Sequence, residues 1–310
     1  MTQLPDTIRL IDTHHLGRTH VVASYLLLGD APALVDPGPT SALPGLEAGL
    51  EANGLRVEDL RALLLTHIHL DHAGATGTLL RRNPHIQVYV HEIGAPHMID
   101  PSRLLRSATR LYGDQMDYLW GEFLPTPAEH VTQLRGGETL DIGGRHFDVR
   151  YAPGHASHHV IYHEADTGVV WIGDNGGIRM PGYCYARPAT PPPDIDIDAW
   201  QLTFDEILAF KPSFVALTHF GAYDDPARHI DDMRSHLAEW AELVRKGLQT
   251  EASEEEQIAA LRELAQADLG PNVEEEEVHA YAKAAPIDQC WRGLARYWQK
   301  RQEAGATAFV

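Results

Sequence analysis

The sequence is poor in cysteine, in basic residues and in long apolar runs. Cys184 and Cys290 are the only cysteines in 310 residues, too few and too scattered for a disulfide framework or a thiolate metal site. With 25 lysines and arginines against 44 acidic residues, the net charge is -19, which argues against a nucleic-acid partner because such proteins normally carry a basic footprint. No run approaches the roughly 18 to 20 apolar residues of a membrane span, and residues 1–11 lack the pattern of a secretory signal. We therefore expect a cytoplasmic protein without a membrane partner.

The sequence does contain one crowded group of metal-binding side chains. His67, His69, Asp71 and His72 lie directly after the apolar run at residues 62–65. Imidazole and carboxylate are good ligands for zinc and similar ions, and crowding them without an ion costs stability because their polar atoms need partners. His67 and His69 project to the same side of an extended loop, whereas Asp71 and His72 turn in another direction. This geometry predicts two adjacent ions.

Potential ligands also follow three later apolar strands, and an aspartate follows an early one. Functional residues collect at such strand-to-loop junctions because the sheet holds them on a rigid frame. We expect these side chains to converge on the first group. The junctions are residues 33–35 before Asp36, residues 147–151 before His155, residues 169–172 before Asp174, and residues 214–217 before His219.

In this order, His67-x-His69-x-Asp71-His72, His155, Asp174 and His219 resemble the ligand set of the metallo-β-lactamase-fold metallohydrolases, in the glyoxalase II and lactonase-like branch. The resemblance covers about residues 8–248. It implies an α/β fold, a four-layer αβ/βα sandwich of two mixed β-sheets flanked by helices. It also implies one ion on His67, His69 and His155, a second on Asp71, His72 and His219, and Asp174 as the bridge. Asp36 matches an aspartate that hydrogen-bonds a ligand.

The domain prediction is a metallo-β-lactamase-fold domain over residues 1–248, with a helical insert at about 94–130, and a C-terminal helical extension over 249–310. The insert is either a helical pair with a solvated basic face or a lid whose aromatic residues line a pocket over the metals. In the extension, a capping box at Ser253 and Glu256 predicts one helix, Asn272 begins another, and Pro286 precedes a third. The extension packs either on the main domain or on another subunit, so a homodimer is left open.

These observations predict an enzyme that hydrolyses a small-molecule substrate. Two cations a few ångströms apart lower the pKa of a shared water toward neutrality and polarise the substrate carbonyl or phosphoryl oxygen. Asp71 is the candidate to hold the water proton and pass it to the leaving group. We expect two divalent ions, with zinc first and manganese or iron as alternatives, and a bridging hydroxide that cleaves an ester, thioester or lactone.

Two other functions stay open at this point. One is a mononuclear iron oxygenase like the persulfide dioxygenases, which share the fold and many of its ligands. The other is a phosphodiesterase, although the net charge of -19 counts against a nucleic-acid substrate. Metal analysis distinguishes the hydrolase from the oxygenase, because two zinc-like ions favour hydrolysis and one ferrous ion with oxygen uptake favours the oxygenase.

Four residues are candidates for substrate contact. In the glutathione-thioester hydrolases of the superfamily a lysine and a tyrosine near this position contact substrate; here Tyr185 matches the tyrosine, whereas Tyr183 stands in place of the lysine, which counts against glutathione thioesters. Arg179 is a candidate for an anionic substrate, and His20 for a contact from the N-terminal loop. Among the other histidines, we expect His14 and His15 at the surface or behind the ligands, and His158 and His159 in structural hydrogen bonds.

Overall fold

The computed structural model describes residues 3–270 and 275–307, and within them the chain forms twelve strands and eleven α-helices. The strands are β1 Ile8–Asp12, β2 Ala23–Leu27, β3 Ala33–Val35, β4 Ala62–Leu64, β5 Gln87–His91, β6 Val131–Leu134, β7 Thr139–Ile142, β8 Arg145–Tyr151, β9 Val160–Glu164, β10 Val169–Trp171, β11 Phe214–Leu217 and β12 Gly221–Tyr223. The helices are α1 Leu43–Ala52, α2 Leu70–Ala73, α3 Thr76–Arg82, α4 Ala95–Ile99, α5 Ser102–Tyr112, α6 Met116–Trp120, α7 Ile197–Ala209, α8 Pro226–Gly247, α9 Glu254–Leu269, α10 Glu275–Ala284 and α11 Ile287–Thr307.

The strands form two mixed sheets of six strands each. The first sheet runs in the order β1-β2-β3-β4-β5-β6, antiparallel as far as β3 and parallel from β3 to β6. The second runs β12-β11-β10-β9-β8-β7 and is antiparallel except for the parallel pair β10 and β11. Two mixed sheets with helices outside them confirm the predicted fold class.

Strand β2 shows how the sequence produces four layers. Its five residues are all buried, although successive side chains of a strand point to opposite faces. Tyr25 and Leu27 pack between the sheets, in a cluster with Trp171 of the second sheet. Leu26 packs on the outer face with Leu46 of α1. Both faces of the sheet are therefore covered, which explains why its strands are apolar rather than alternating.

The C-terminal helices pack on the outer face of the second sheet, together with α7 and α8. The predicted capping box begins α9, with the Ser253 hydroxyl accepting from the Glu256 amide and the Glu256 carboxylate accepting from the Ser253 amide. In α10 and α11, Tyr281 and Leu294 are fully buried in the outer core. The extension thus packs on the main domain, as one of the two alternatives predicted. The predicted helix start at Asn272 lies outside the described residues, and the domain boundary at residue 248 stays a prediction.

Helices α4 to α6 form the insert between β5 and β6. In α5 the side chains of Arg103, Arg106 and Arg110 are exposed, whereas Ala108 is buried. Of the helices that the structure describes, none is long and apolar enough to cross a membrane.

Candidate metal centre

The predicted ligands lie together because the strands before them share one edge of the sandwich. Strands β3 and β4 are parallel neighbours, so Asp36 follows β3 beside the turn that follows β4. Strands β10 and β11 are also parallel neighbours, which places Asp174 and His219 side by side after them. Carboxyl ends of parallel strands meet at the same edge. The side chains at these separate strand-to-loop junctions therefore form one site.

Two groups of side chains have ligand atoms within 4.8 Å of one another: His67, His69, His155 and Asp174 form one, and Asp71, His72 and His219 form the other. In the first group, the Nδ1 atom of His69 lies 3.0 Å from Nε2 of His67 and 2.9 Å from Nε2 of His155. In the second, Oδ2 of Asp71 lies 3.2 Å from Nε2 of His219. Each group is compact enough to hold one ion.

Asp174 stands between the two groups and faces both. Its Oδ2 atom lies 3.4 Å from Nε2 of His155 in the first group. Its Oδ1 atom lies 3.2 Å from Nε2 of His72 and 3.5 Å from Nε2 of His219 in the second. One carboxylate thus offers a different oxygen to each group.

Asp36 supports the second group from behind. Its Oδ2 atom lies 2.8 Å from Nδ1 of His72 and accepts hydrogen bonds from the hydroxyls of Thr66 at 2.7 Å and Thr218 at 2.9 Å. Its Oδ1 atom accepts from the Thr66 amide at 2.8 Å. The structure therefore places Asp36 in hydrogen-bonding contact with a candidate ligand, as the resemblance implies.

Backbone carbonyls orient two further imidazoles. The Nδ1 atom of His155 lies 2.8 Å from the carbonyl oxygen of Ala189, and Nδ1 of His219 lies 2.6 Å from that of Val21. A histidine that binds a metal through one ring nitrogen usually donates the other N–H in this way. These contacts leave Nε2 of each ring to face the centre.

The donor set fits a divalent metal. Among the described residues, the buried atoms His72 Nε2, His219 Nε2 and Asp174 Oδ1 make close contacts but find no hydrogen-bond partner of suitable geometry, and burying such atoms without a partner is costly. A cation between them would satisfy all three. The site therefore has unpaired polar atoms that could coordinate a metal ion.

The pKa values of His67, His69 and Asp71 favour the protonation states that bind a metal. Burial lowers the pKa of His67 well below its usual value, with His72 adding to the effect, and burial lowers the pKa of His69 to about 3. For Asp71, burial raises the pKa, but the charges of His72 and His219 outweigh it and the pKa falls below its usual value. Neutral imidazole and ionised carboxylate are the forms that bind metals. In the second group, burial lowers the pKa of His72 and His219, but the charges of Asp174 and of neighbouring carboxylates outweigh it and raise both pKa values, so these two rings would release a proton when an ion binds.

A cavity of about 900 Å³ opens over the centre, and His69, Asp71, Asp174 and His219 lie in its wall. This volume suits a small molecule. Other parts of the wall come from the N-terminal loop at His15, Leu16, Arg18, Val21 and Val22, from the insert, from the loop that contains Ala189 and Asp194, and from the C-terminal helices between Ala282 and Cys290. The insert shows a feature of each alternative: aromatic residues, among them Tyr112 and Trp120, line the pocket, and Arg103, Arg106 and Arg110 of α5 are exposed.

The four candidates for substrate contact lie elsewhere and are not among the residues that line this cavity. Arg179 donates to both carboxylate oxygens of Asp225, at 2.7 and 3.0 Å, so its charge is already paired. Tyr185 is buried in the outer core beside α10, and Tyr183 packs partly against the same core. The ring of His20 packs on Phe220, 4.8 Å between centroids.

The cavity instead brings together histidines that the sequence did not predict as substrate contacts. Of the two places expected for His15, the surface and behind the ligands, the structure excludes the first: His15 is buried, and its ring stacks on Trp120 with 5.7 Å between centroids. His158 also lines the wall. His159 makes no side-chain hydrogen bond, against expectation, and stacks on His67 at 4.9 Å instead. No local pattern marks these residues, because the wall is assembled from segments far apart in the chain.

Comparison with known proteins agrees with this geometry. The sequence profile of the metallo-beta-lactamase superfamily matches residues 17–219. The match extends over more than half of the chain, from the N-terminal loop to the last of the predicted ligands. The chain belongs to the metallo-beta-lactamase superfamily.

Individual relatives are distant. The metallo-beta-lactamase fold-containing protein ST1585 of Sulfurisphaera tokodaii is 25% identical over 210 residues, which are 65% of this chain and 73% of that protein. A hydroxyacylglutathione hydrolase of Aeromonas salmonicida is 31% identical over 143 residues, 46% of this chain and 41% of that protein. The chain thus matches less than half the length of this second relative.

Solved structures show the same fold over nearly the whole chain. The metallo-beta-lactamase family protein TTHA1429 of Thermus thermophilus has a TM-score of 0.69 at 20% identity, covering 96% of this chain and 95% of its own. The structure of ST1585 has a TM-score of 0.67 at 22% identity, covering 93% and 97%. Such coverage includes the C-terminal helices.

Proposed function

We propose that the protein is a dinuclear metal-dependent hydrolase that cleaves a small ester, thioester or lactone. The observation that carries this proposal is the position of Asp174, whose two oxygens face two separate groups of ligands. A mononuclear site does not need a carboxylate turned both ways. The proposed metal is zinc.

His67, His69 and His155 would hold one ion, Asp71, His72 and His219 the other, and Asp174 would contact both. Ions bound there would make a water molecule acidic enough to attack at neutral pH and would polarise the substrate carbonyl. The contacts of His155 and His219 with backbone carbonyls fix both rings beforehand. Little reorganisation is then needed at the moment of reaction.

Asp71 is the proposed proton carrier. Its side chain is 20% exposed, against 6% for Asp174, so its carboxylate reaches the cavity in which the water and the substrate meet. It takes the proton of the attacking water and returns it to the leaving group. Its contact with Nε2 of His219 holds the carboxylate at the wall.

The named relatives support a hydrolase without identifying the substrate. The relative named hydroxyacylglutathione hydrolase acts, by its name, on an acylated glutathione. The match covers 46% of the present chain. Glutathione is not part of the proposal, because Tyr183 and Tyr185 lie away from the cavity wall.

Metal content and turnover of three variants test the proposal. Elemental analysis of the wild type should find two ions per chain. Asp174→Ala should lose both ions, because both groups share this residue, and His219→Ala should mainly lose one. Asp71→Asn should keep more metal than activity, with turnover on a generic ester lowered at least about a hundredfold.

The exposed residue His146 provides the control, since His146→Ala should keep wild-type metal content and turnover. Equal metal content in all variants would contradict the assignment of ligands. One ferrous ion per chain with oxygen uptake on a persulfide would favour the oxygenase in place of the hydrolase.

A further inference from the structure

The cavity wall includes three basic side chains that come from separate parts of the chain. Arg18 belongs to the N-terminal loop, Arg103 to α5 in the insert, and Lys283 to α10. All three are exposed. They belong to segments that form the cavity over the candidate metal centre, in which a substrate would bind.

None of these three cations forms an ion pair with any side chain that the structure describes. In a chain with 44 acidic residues and 25 basic ones, several exposed basic groups away from the cavity do pair with a carboxylate. Examples of such pairs are Arg81 with Glu122, Arg135 with Glu92, and Arg292 with Glu254. The cations at the cavity are therefore available to a ligand.

The acidic groups of the wall are already engaged. Asp71 and Asp174 belong to the candidate metal centre. Asp194 accepts hydrogen bonds from the hydroxyl and the amide of Ser157. Once the centre holds its metals, the charge left on the wall is positive, in a protein whose net charge is -19. An anionic ligand would be attracted to this wall, although the net negative charge of the rest of the protein repels it.

Much of the remaining wall is apolar. The insert contributes Leu104, Leu119 and Trp120, and the loops below contribute Val22 and Ile68. An apolar chain buried against such side chains is removed from water, which favours binding. The cavity therefore combines a reactive centre, an apolar surface and uncompensated cations.

We propose that the substrate of this site is an amphipathic anion: an acyl compound with its reactive carbonyl at the metals, an apolar chain along the insert, and an anionic group held by Arg18, Arg103 and Lys283. This inference rests on the proposed hydrolase function for the reaction but not for the binding. A carboxylate and a phosphate both fit the three cations.

Matched esters test the proposal. The holoenzyme is assayed with nitrophenyl esters of equal chain length that end in a methyl group, a carboxylate or a phosphate. The wild type should show the higher kcat/KM with an anionic ester, and the preferred ester tells carboxylate from phosphate. In the triple variant Arg18→Gln, Arg103→Gln, Lys283→Gln, the ratio of anionic to neutral kcat/KM should fall about tenfold, as expected for three partly solvated ion pairs.

A variant with the same loss of charge is the control. Arg56, Arg228 and Arg262 are exposed and do not line the cavity, so changing all three to glutamine should leave the ratio at the wild-type value. An equal fall in both triple variants would mean that only the overall charge matters, and would overturn the proposal. A wild type without preference for either anionic ester would overturn it as well.

Binding separates this proposal from the proposed function. Calorimetric titration with suberate, a dicarboxylate with an apolar chain, should show about tenfold weaker binding to the cavity triple variant than to the wild type. If no ester is hydrolysed but this difference is found, the hydrolase is refuted and the anion site stands. If esters are hydrolysed with the same ratio in both proteins, the anion site is refuted and the hydrolase stands.

Discussion

At the scale of single residues, Asp36 joins the two sheets at the centre. Its carboxylate accepts hydrogen bonds from Thr66, which follows β4 of the first sheet, and from Thr218, which follows β11 of the second. The same carboxylate contacts His72. A fully buried charge is tolerated there because several donors surround it. One side chain thus positions a candidate ligand and links both halves of the sandwich.

His229 has a similar role behind Asp174. Its Nε2 atom lies 2.8 Å from the carbonyl oxygen of Gly176, in the turn that begins at Gly173 and carries Asp174. Its ring stacks on Tyr223. Burial, reinforced by the charge of Arg179, lowers the pKa of His229 to about 4. The folded protein therefore keeps this imidazole neutral.

We predict that His229 makes the fold sensitive to acid. Because its pKa is lower in the folded chain than the ordinary 6.5, its contribution is complete above pH 6.5 and is lost as the pH falls toward about 4, by on the order of 3 kcal/mol in total. His229→Gln keeps an N–H donor but does not titrate. As the pH is lowered from about 7 to 5, the free energy of unfolding of this variant should therefore fall less steeply than that of the wild type.

Urea unfolding at several pH values measures this slope, with a chelator present so that release of metal by acid does not contribute. His146→Gln, at an exposed position, should keep the wild-type slope. Identical slopes for the wild type and His229→Gln would show that His229 is not the residue responsible.

At the scale of elements, helix α11 packs its backbone directly on the loop that lines the cavity. A Cβ atom on Gly293 would lie 2.0 Å from the carbonyl oxygen of Thr190. The hydroxyl of Thr190 in turn donates to the carbonyl of Cys290 at 3.1 Å. The absence of a side chain at position 293 is what allows this close approach.

We predict that Gly293→Ala destabilises the protein by about 1–3 kcal/mol, because α11 or the loop must move apart. The same shift should raise KM, since residues 189–194 are part of the cavity wall. Gly247→Ala is the matched control: a Cβ atom there meets only the flexible side chain of Gln257, and alanine favours a helix over glycine. Urea unfolding of both variants checks the prediction, and equal stability of the two would contradict it.

At the scale of the whole molecule, the candidate metal centre connects the two sheets. His67, His69, Asp71 and His72 follow β4 of the first sheet, whereas the other ligands follow strands of the second. Ions bound there would cross-link the sandwich. A ligand that binds only the folded state adds stability according to its concentration over its Kd.

We predict that removing metal with a chelator lowers the Tm by about 4 °C, as expected for the loss of about 2.7 kcal/mol in a chain of 310 residues. Added zinc should restore the Tm. Thermal unfolding of Asp174→Ala, which should not hold the metals, serves as the control and should not respond to the chelator. A wild type that melts at the same temperature with and without the chelator would argue against a structural contribution of the ions.

The sequence by itself indicated the fold class, through the resemblance of its ligand pattern to a known family, and it predicted that the candidate ligands converge, because they follow apolar strands and four of them lie within one short loop. Only the tertiary structure decided the cavity. It brought His15, the insert and the C-terminal helices over the centre, and it placed Arg179 and Tyr185 elsewhere. The physical reason is that each ligand position is marked locally, by an apolar strand and the loop that follows it, whereas a cavity wall depends on how segments more than a hundred residues apart pack together.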